Sequence, residues 1–300
     1  MKVAWVFPGQ DAFQPLTGCG WAAADPVVEA LLDRVGDAAG FSLTEPRERR
    51  RQKRFDTSVV QPLLTALCLG IAGRLRRSGL APDVVAGASL GELSAWGVAT
   101  GADPEHITDV AIARGAAMAE AARAAPGGMV AVAGDTPAAA LAAGRAAGVC
   151  DVAAHNPPDT WVISGESAAL LAIRVALPAR SVPVSGPWHS RLMAAAEAPL
   201  RAALAAVPAR PLAVPMRLND AGRAAADDAD IRAHLTRQLT HPVDWSETLS
   251  ALQALEVTDV VTVGPGRVLR AQLRQAPALR VRVHETEDPE RLAALEALRS

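Results

Sequence analysis

The sequence predicts an α/β domain built on a parallel sheet, interrupted by a small ferredoxin-like unit. Three observations predict it. The stretch VVAGASLGELSAWG (84–97) turns an apolar strand into a helix through two glycines that flank a serine. Short buried-strand patterns at 3–7 and 257–266 alternate with long helical ones, the order of a parallel sheet with helical crossovers. Between 127 and 185 the signals run strand, helix, strand, strand, helix, strand, the order of a split βαβ unit.

Each element follows from its local pattern. VAWVF (3–7) is a continuous apolar run stopped by Pro8 and Gly9. DPVVEALLDRVGDAAG (25–40) has helical spacing and ends on glycine. SVVQPLLTALCLGIAGRLRRSG (58–79) predicts a long buried helix with arginines and glycine at its C-terminal end. Strand 84–86, helix 90–99 and helix 105–126 follow, the last stopped near Pro126. The inserted unit has strands at 127–134, 150–156, 160–165 and 179–185, with helices at 137–148 and 167–177. Then come a helix at 199–207, two helices over 229–255 split near Pro242, a strand at 257–266, a helix at 268–275 and a strand at 279–285. The expected division is therefore 1–126 with 187–300 for the larger domain and 127–186 for the insertion.

Composition narrows the function. Half of the 300 residues are hydrophobic, enough for a large core, and 21% are charged with a net charge of −2. That balance excludes a disordered chain and gives no basic field for nucleic acid. Cys19, Cys68 and Cys150 are too far apart to suggest a metal site or disulfide framework, which points to a reducing compartment and no metal. The N-terminal apolar run is too short for a signal-peptide core, and no window approaches 18 uninterrupted apolar residues. A cytoplasmic protein with no membrane contact is expected. The basic run RERRRQKR (47–54) reads as a solvated segment, or as a docking patch for an acidic carrier protein or CoA phosphates.

The chemistry centres on GASLG. A serine at the tip of a sharp strand-to-helix turn presents its hydroxyl beside the unpaired N–H groups that open the helix. That arrangement is a nucleophile elbow with Ser89 at its tip; a plain Gly/Ser turn is the alternative. A serine needs a base. His189, in VPVSGPWHSRLM, follows the inserted unit where the chain re-enters the larger domain, with Gly186, Pro187 and Trp188 fixing the backbone ahead of it. From pattern alone a hydrogen-bonded structural histidine reads equally well. His106 reads as an exposed first-turn residue and His234 as one among polar helical residues. A hydrolase ordering serine, acid and late histidine would use His284, but no Gly-rich oxyanion strip precedes the serine.

Six motifs then come in order: VFPGQ, GASLGE, ARGAAM (113–118), GPWHSRLM (186–193), QLTHPVDW (238–245) and VGPGRVL (263–269). Together they resemble the malonyl-CoA:acyl carrier protein transacylases and the acyltransferase domains of polyketide synthases, over about residues 3–275. The resemblance implies an α/β-hydrolase-like domain with a ferredoxin-like insertion. It implies ping-pong transfer of an acyl group, malonyl-type favoured, from CoA or a carrier protein to the phosphopantetheine thiol of an acyl carrier protein, in polyketide or fatty-acid biosynthesis. Ser89 matches the nucleophile, His189 the base, and the backbone N–H groups of Gln10 and Leu90 the oxyanion hole. Gln238 matches the residue that orients the base, and Arg114 the arginine that pairs with the free malonyl carboxylate. Asn156 falls where the family has an asparagine close to the pocket. No cofactor is implied, the CoA or phosphopantetheine thioester being the substrate. Two positions depart from the family pattern: the loop reads GQDAF, placing Asp11 beside Gln10, and Ala88 stands where a histidine usually precedes the serine. Competing readings are a non-malonyl acyltransferase, a thioesterase that passes the acyl group to water, and a carrier-binding module without covalent chemistry.

Overall fold

Strands buried on both faces of a parallel sheet read as unbroken apolar runs, and Val3–Phe7 (β1) is buried at all five positions. The computed structural model describes residues 1–14, 17–39, 42, 53, 56–134, 136–276 and 279–298. After β1 come a short 3-10 turn at Gln10–Ala12, then α1 (Cys19–Ala24), α2 (Pro26–Ala39) and α3 (Thr57–Arg77). Asp56 caps α3 by accepting the Ser58 N–H. Next are β2 (Val84–Gly87), α4 (Gly91–Thr100) and α5 (Pro104–Ala124). Asp103 caps α5, with Pro104 in its first turn.

The inserted stretch carries β3 (Gly127–Ala133), α6 (Ala138–Arg145), β4 (Cys150–Asn156), β5 (Thr160–Glu166), α7 (Ser167–Ala176) and β6 (Ala179–Val182). Beyond it lie a 3-10 segment at Arg191–Ala196, α8 (Glu197–Ala206), β7 (Met216–Arg217) and α9 (Asp228–Arg237). The chain finishes with β8 (Val243–Asp244), α10 (Trp245–Ala254), β9 (Asp259–Thr262), α11 (Arg267–Gln275), β10 (Arg282–Glu285) and a 3-10 segment at Pro289–Leu298.

The first sheet runs β10-β9-β1-β2-β7, with every pairing parallel. Its two central strands are in register at Phe7 and Gly87, so both end at the same level. The second sheet runs β6-β3-β5-β4-β8, and its first four strands pair antiparallel in the order of a ferredoxin-like sheet. The mixed α/β fold predicted from sequence is the one observed.

The differences are local. α1 went unread, as did the two-residue strands β7 and β8, because so short a strand carries no period. The helical region near Pro242 is interrupted by β8, which pairs parallel with β4 and so ties the second sheet to the chain beyond it. The basic run at 47–54 lies outside the described residues, apart from Lys53. By length and composition α3 could cross a membrane, and 83% of its most apolar window is buried inside the fold, packed on α2 and α5.

Candidate functional site

The ends of β1 and β2 and the start of α4 approach one another more closely than a side chain allows. A Cβ on Gly87 would lie 2.1 Å from the Gly91 carbonyl carbon, and one on Gly91 would lie 2.2 Å from the Phe7 oxygen. The two glycines of the motif therefore permit this junction. Ser89 sits at its tip in the left-handed region, at φ 51°. Asn219, just past β7, holds it there: its Oδ1 accepts the Ser89 N–H at 2.8 Å and its Nδ2 donates to Gly87 O at 2.8 Å. Sequence reasoning missed Asn219, since no local signal links it to a turn 130 residues away.

His189 also has positive φ, at 58°. The turn before it is fixed by the Ser190 hydroxyl, which donates to Pro187 O at 2.7 Å. The ring reaches back over the elbow, with Nε2 2.7 Å from Ser89 Oγ. Its Nδ1 lies 2.8 Å from the main-chain oxygen of Gln238 at the end of α9. A carbonyl only accepts, so Nδ1 carries the proton and Nε2 is left to accept from the serine hydroxyl. Burial, reinforced by the nearby Arg114 cation and opposed by the Gln238 carbonyl, lowers the His189 pKa to about 4. The ring is thus neutral around pH 7.

Arg114, midway along α5, is 2% exposed. Its guanidinium donates to Gln61 Oε1 at 2.5 Å and to Gln238 Oε1 at 3.0 Å. Burial lowers its pKa to about 10, against the attraction of Glu92, so the group stays charged near neutrality. Among the described residues no carboxylate lies within 4 Å of it. A buried cation hydrogen-bonded only to neutral amides has donors to spare. Gln61 is the second residue that sequence reasoning missed. Its Nε2 donates to Thr57 Oγ1, and Thr57 donates to Gln10 Oε1, so the arginine is tied to the loop after β1.

Ser89, His189, Arg114, Gln10, Leu90 and Asn156 all line one cavity of about 150 Å³ between the two sheets, closed on one side by α11. The structure thus brings together all the sequence-selected residues, Gln238 standing just behind His189. Among the described residues, neither the Gln10 nor the Leu90 N–H donates to another backbone or side-chain acceptor. Asp11 lines the same cavity and is itself exposed. Ala88 packs against the apolar cluster that includes Val243 and Leu269.

The other histidines lie elsewhere or do other work. His284, on β10, is 2.9 Å from Asp259 and does not line the cavity, so the late-histidine order of a hydrolase triad is not what this site uses. His106 is exposed, as expected. His234 lies in the polar helix α9, as expected, but on its inward face: it is 4% exposed and its Nε2 lies 2.8 Å from Glu92 Oε2. Among the described residues no group of three or more His, Cys, Asp or Glu could hold a metal.

An α/β enzyme with a serine–histidine pair at the carboxyl end of its central parallel strands is the class that this fold and site define. A model of the acyl transferase domain matches residues 5–287, and the chain belongs to that family: it is an acyltransferase. It is 30% identical to the malonyl CoA-acyl carrier protein transacylase of Bacillus subtilis (strain 168), over 96% of this chain and 94% of that protein. The malonyl CoA-acyl carrier protein transacylase of Coxiella burnetii superposes with a TM-score of 0.88 at 26% identity, covering 99% of this chain and 98% of that one. A malonyl-transacylase solved in complex with its type II polyketide synthase acyl-carrier protein superposes at 0.87 with 28% identity, each chain covered to 98%.

Proposed function

We propose that this acyltransferase moves a malonyl-type acyl group from CoA to the phosphopantetheine thiol of an acyl carrier protein through an acyl-serine intermediate. One observation carries the reading: the 2.7 Å Ser89–His189 contact opens on the same cavity as a buried arginine that, among the described residues, has no carboxylate within 4 Å. The relatives named above, which are malonyl transacylases, support it.

Ser89 Oγ attacks the thioester carbonyl carbon while His189 Nε2 takes the hydroxyl proton. The Gln238 carbonyl steadies the ring as it becomes an imidazolium. The Gln10 and Leu90 N–H groups receive the oxyanion; such a donor is worth about 3–4 kcal/mol of barrier. As the intermediate collapses, the carbon–sulfur bond breaks and the departing thiolate takes the proton from His189. The carrier thiol then gives its proton to His189, attacks the acyl-serine and restores the free hydroxyl. No cofactor is required: every proton and electron pair is supplied by the serine, the imidazole and the two thiols.

Arg114 holds the distal carboxylate of the acyl group as a charge-assisted pair. Asn156, at the cavity wall, would contact the same group. The pathway served is polyketide or fatty-acid biosynthesis. The test is intact-mass detection of an adduct after mixing with malonyl-CoA, followed by its discharge to holo acyl carrier protein. A malonyl mass shift that maps to Ser89 and passes to the carrier thiol is expected. Release of free malonate in the presence of carrier, with no acyl-carrier formed, would make the protein a thioesterase instead.

A further inference from the structure

Glu92 is wholly buried in the first turn of α4 and takes no part in the chemistry above. The site is nonetheless built around it. Its Oε1 accepts the Asn219 N–H at 2.8 Å. Its Oε2 accepts from Gln238 Nε2 and from His234 Nε2, the latter at 2.8 Å. Each of the first two partners holds one half of the reacting pair. Asn219 grips Ser89 N and Gly87 O. Gln238 presents the carbonyl that orients His189 and also donates from Nε2 to Ser89 O at 3.2 Å. The Gln238 side chain lies between Glu92 and the Arg114 cation, donating to the carboxylate and accepting from the guanidinium, so its amide has only one satisfactory orientation. The opening turn of α4, whose amide dipoles favour an anion, is a suitable place for the carboxylate.

We propose that Glu92 is a positioning residue that sets the Ser89–His189 distance, acting on the serine through Asn219 and on the imidazole through Gln238. Two groups on different elements must meet within hydrogen-bond reach, and one carboxylate fixes both to the same point. A misplacement of about 1 Å between reacting groups lowers a rate by about 10²-fold.

The inference rests on the Ser–His reading of the site, so the probe must read that pair without regard to the acyl group. A fluorophosphonate serves: its phosphorus bonds to an activated serine oxygen, fluoride leaves, and the proton passes to the base. Labelling is followed against probe concentration to separate the maximal rate from the half-saturating concentration. In the unaltered protein Ser89 must be labelled; absence of labelling there would overturn the Ser–His reading itself. With that in hand, Glu92→Gln, which keeps shape and removes charge, is expected to lower the maximal rate about 10- to 100-fold with the half-saturating concentration unchanged. A merely structural role would lower the amplitude of labelling, through loss of folded protein, and leave the rate constant alone. Glu92→Gln combined with Gln238→Ala should fall short of the product of the two single losses, because both act through one contact. A rate constant within about threefold of the unaltered protein in Glu92→Gln, or fully multiplicative losses in the pair, overturns the proposal. Should Glu92→Gln not fold, Asn219→Ser and Gln238→Ala each remove one arm while keeping the carboxylate, and unchanged labelling in either is the refuting result.

Discussion

Replacing Arg114 by alanine tests the proposed grip on the acyl carboxylate. In the structure the guanidinium spends two donors on Gln61 and Gln238 and has no carboxylate within 4 Å among the described residues. A guanidinium has five N–H donors, so three remain for a substrate carboxylate. Two charge-assisted hydrogen bonds at about 1.5–3 kcal/mol each sum to about 3–6 kcal/mol, or roughly 10²- to 10⁴-fold in the loading rate of a malonyl group. An acetyl group has no carboxylate to lose, so its loading should change by less than about threefold or should rise as a buried charge is removed. The assay mixes enzyme with malonyl-CoA or acetyl-CoA for timed intervals and reads the acylated fraction by intact mass. The ratio of the two rates, large in the unaltered protein, should approach unity in Arg114→Ala. Arg114→Lys keeps the charge and loses the fork, so it should fall between them. A variant that loses both substrates in equal proportion would show that Arg114 serves the fold alone.

Other outcomes follow from the same geometry. Ser89→Ala should show no adduct with any acyl donor, whereas a persistent adduct on mass mapping would move the nucleophile elsewhere. The acylation rate should rise with pH in one step centred near 4, since only the neutral ring of His189 accepts the serine proton; a midpoint at the ordinary histidine value of about 6.5 would mean a solvated ring. The same shift has a stability consequence. Between 6.5 and about 4 the unfolded ring binds a proton that the folded ring refuses, so stability is complete above 6.5 and falls by about 3 kcal/mol on acidification to 4. His189→Gln should abolish that portion of the pH dependence in denaturant titrations. Gly91→Ala should destabilise by about 3 kcal/mol or more, because its methyl would lie 2.2 Å from Phe7 O with no rotamer to relieve it; an unchanged melting temperature would contradict that packing.

The sequence determined the parts that depend on neighbours in the chain. Apolar runs gave β1 and β2, glycines at 87 and 91 marked the junction that turns one into a helix, and the strand-helix order from 127 to 185 implied its own sheet. Ser89 was legible as a candidate because its strained turn is written in five consecutive residues. His189 was a candidate from its place after the inserted unit, where a structural histidine read equally well, whereas Arg114 and Gln238 were legible only through the resemblance, since each stands in a segment whose local pattern is that of an ordinary helix. Tertiary structure alone decided the rest. Asn219, Gln61 and the inward-facing His234 acquire their roles from partners 53 to 142 residues distant. β7 and β8 exist because an adjacent strand offers them hydrogen bonds. The physical reason is the same in each case: local conformation is fixed by sterics and period within a few residues, whereas a buried polar group takes whichever partner the packed fold brings to it.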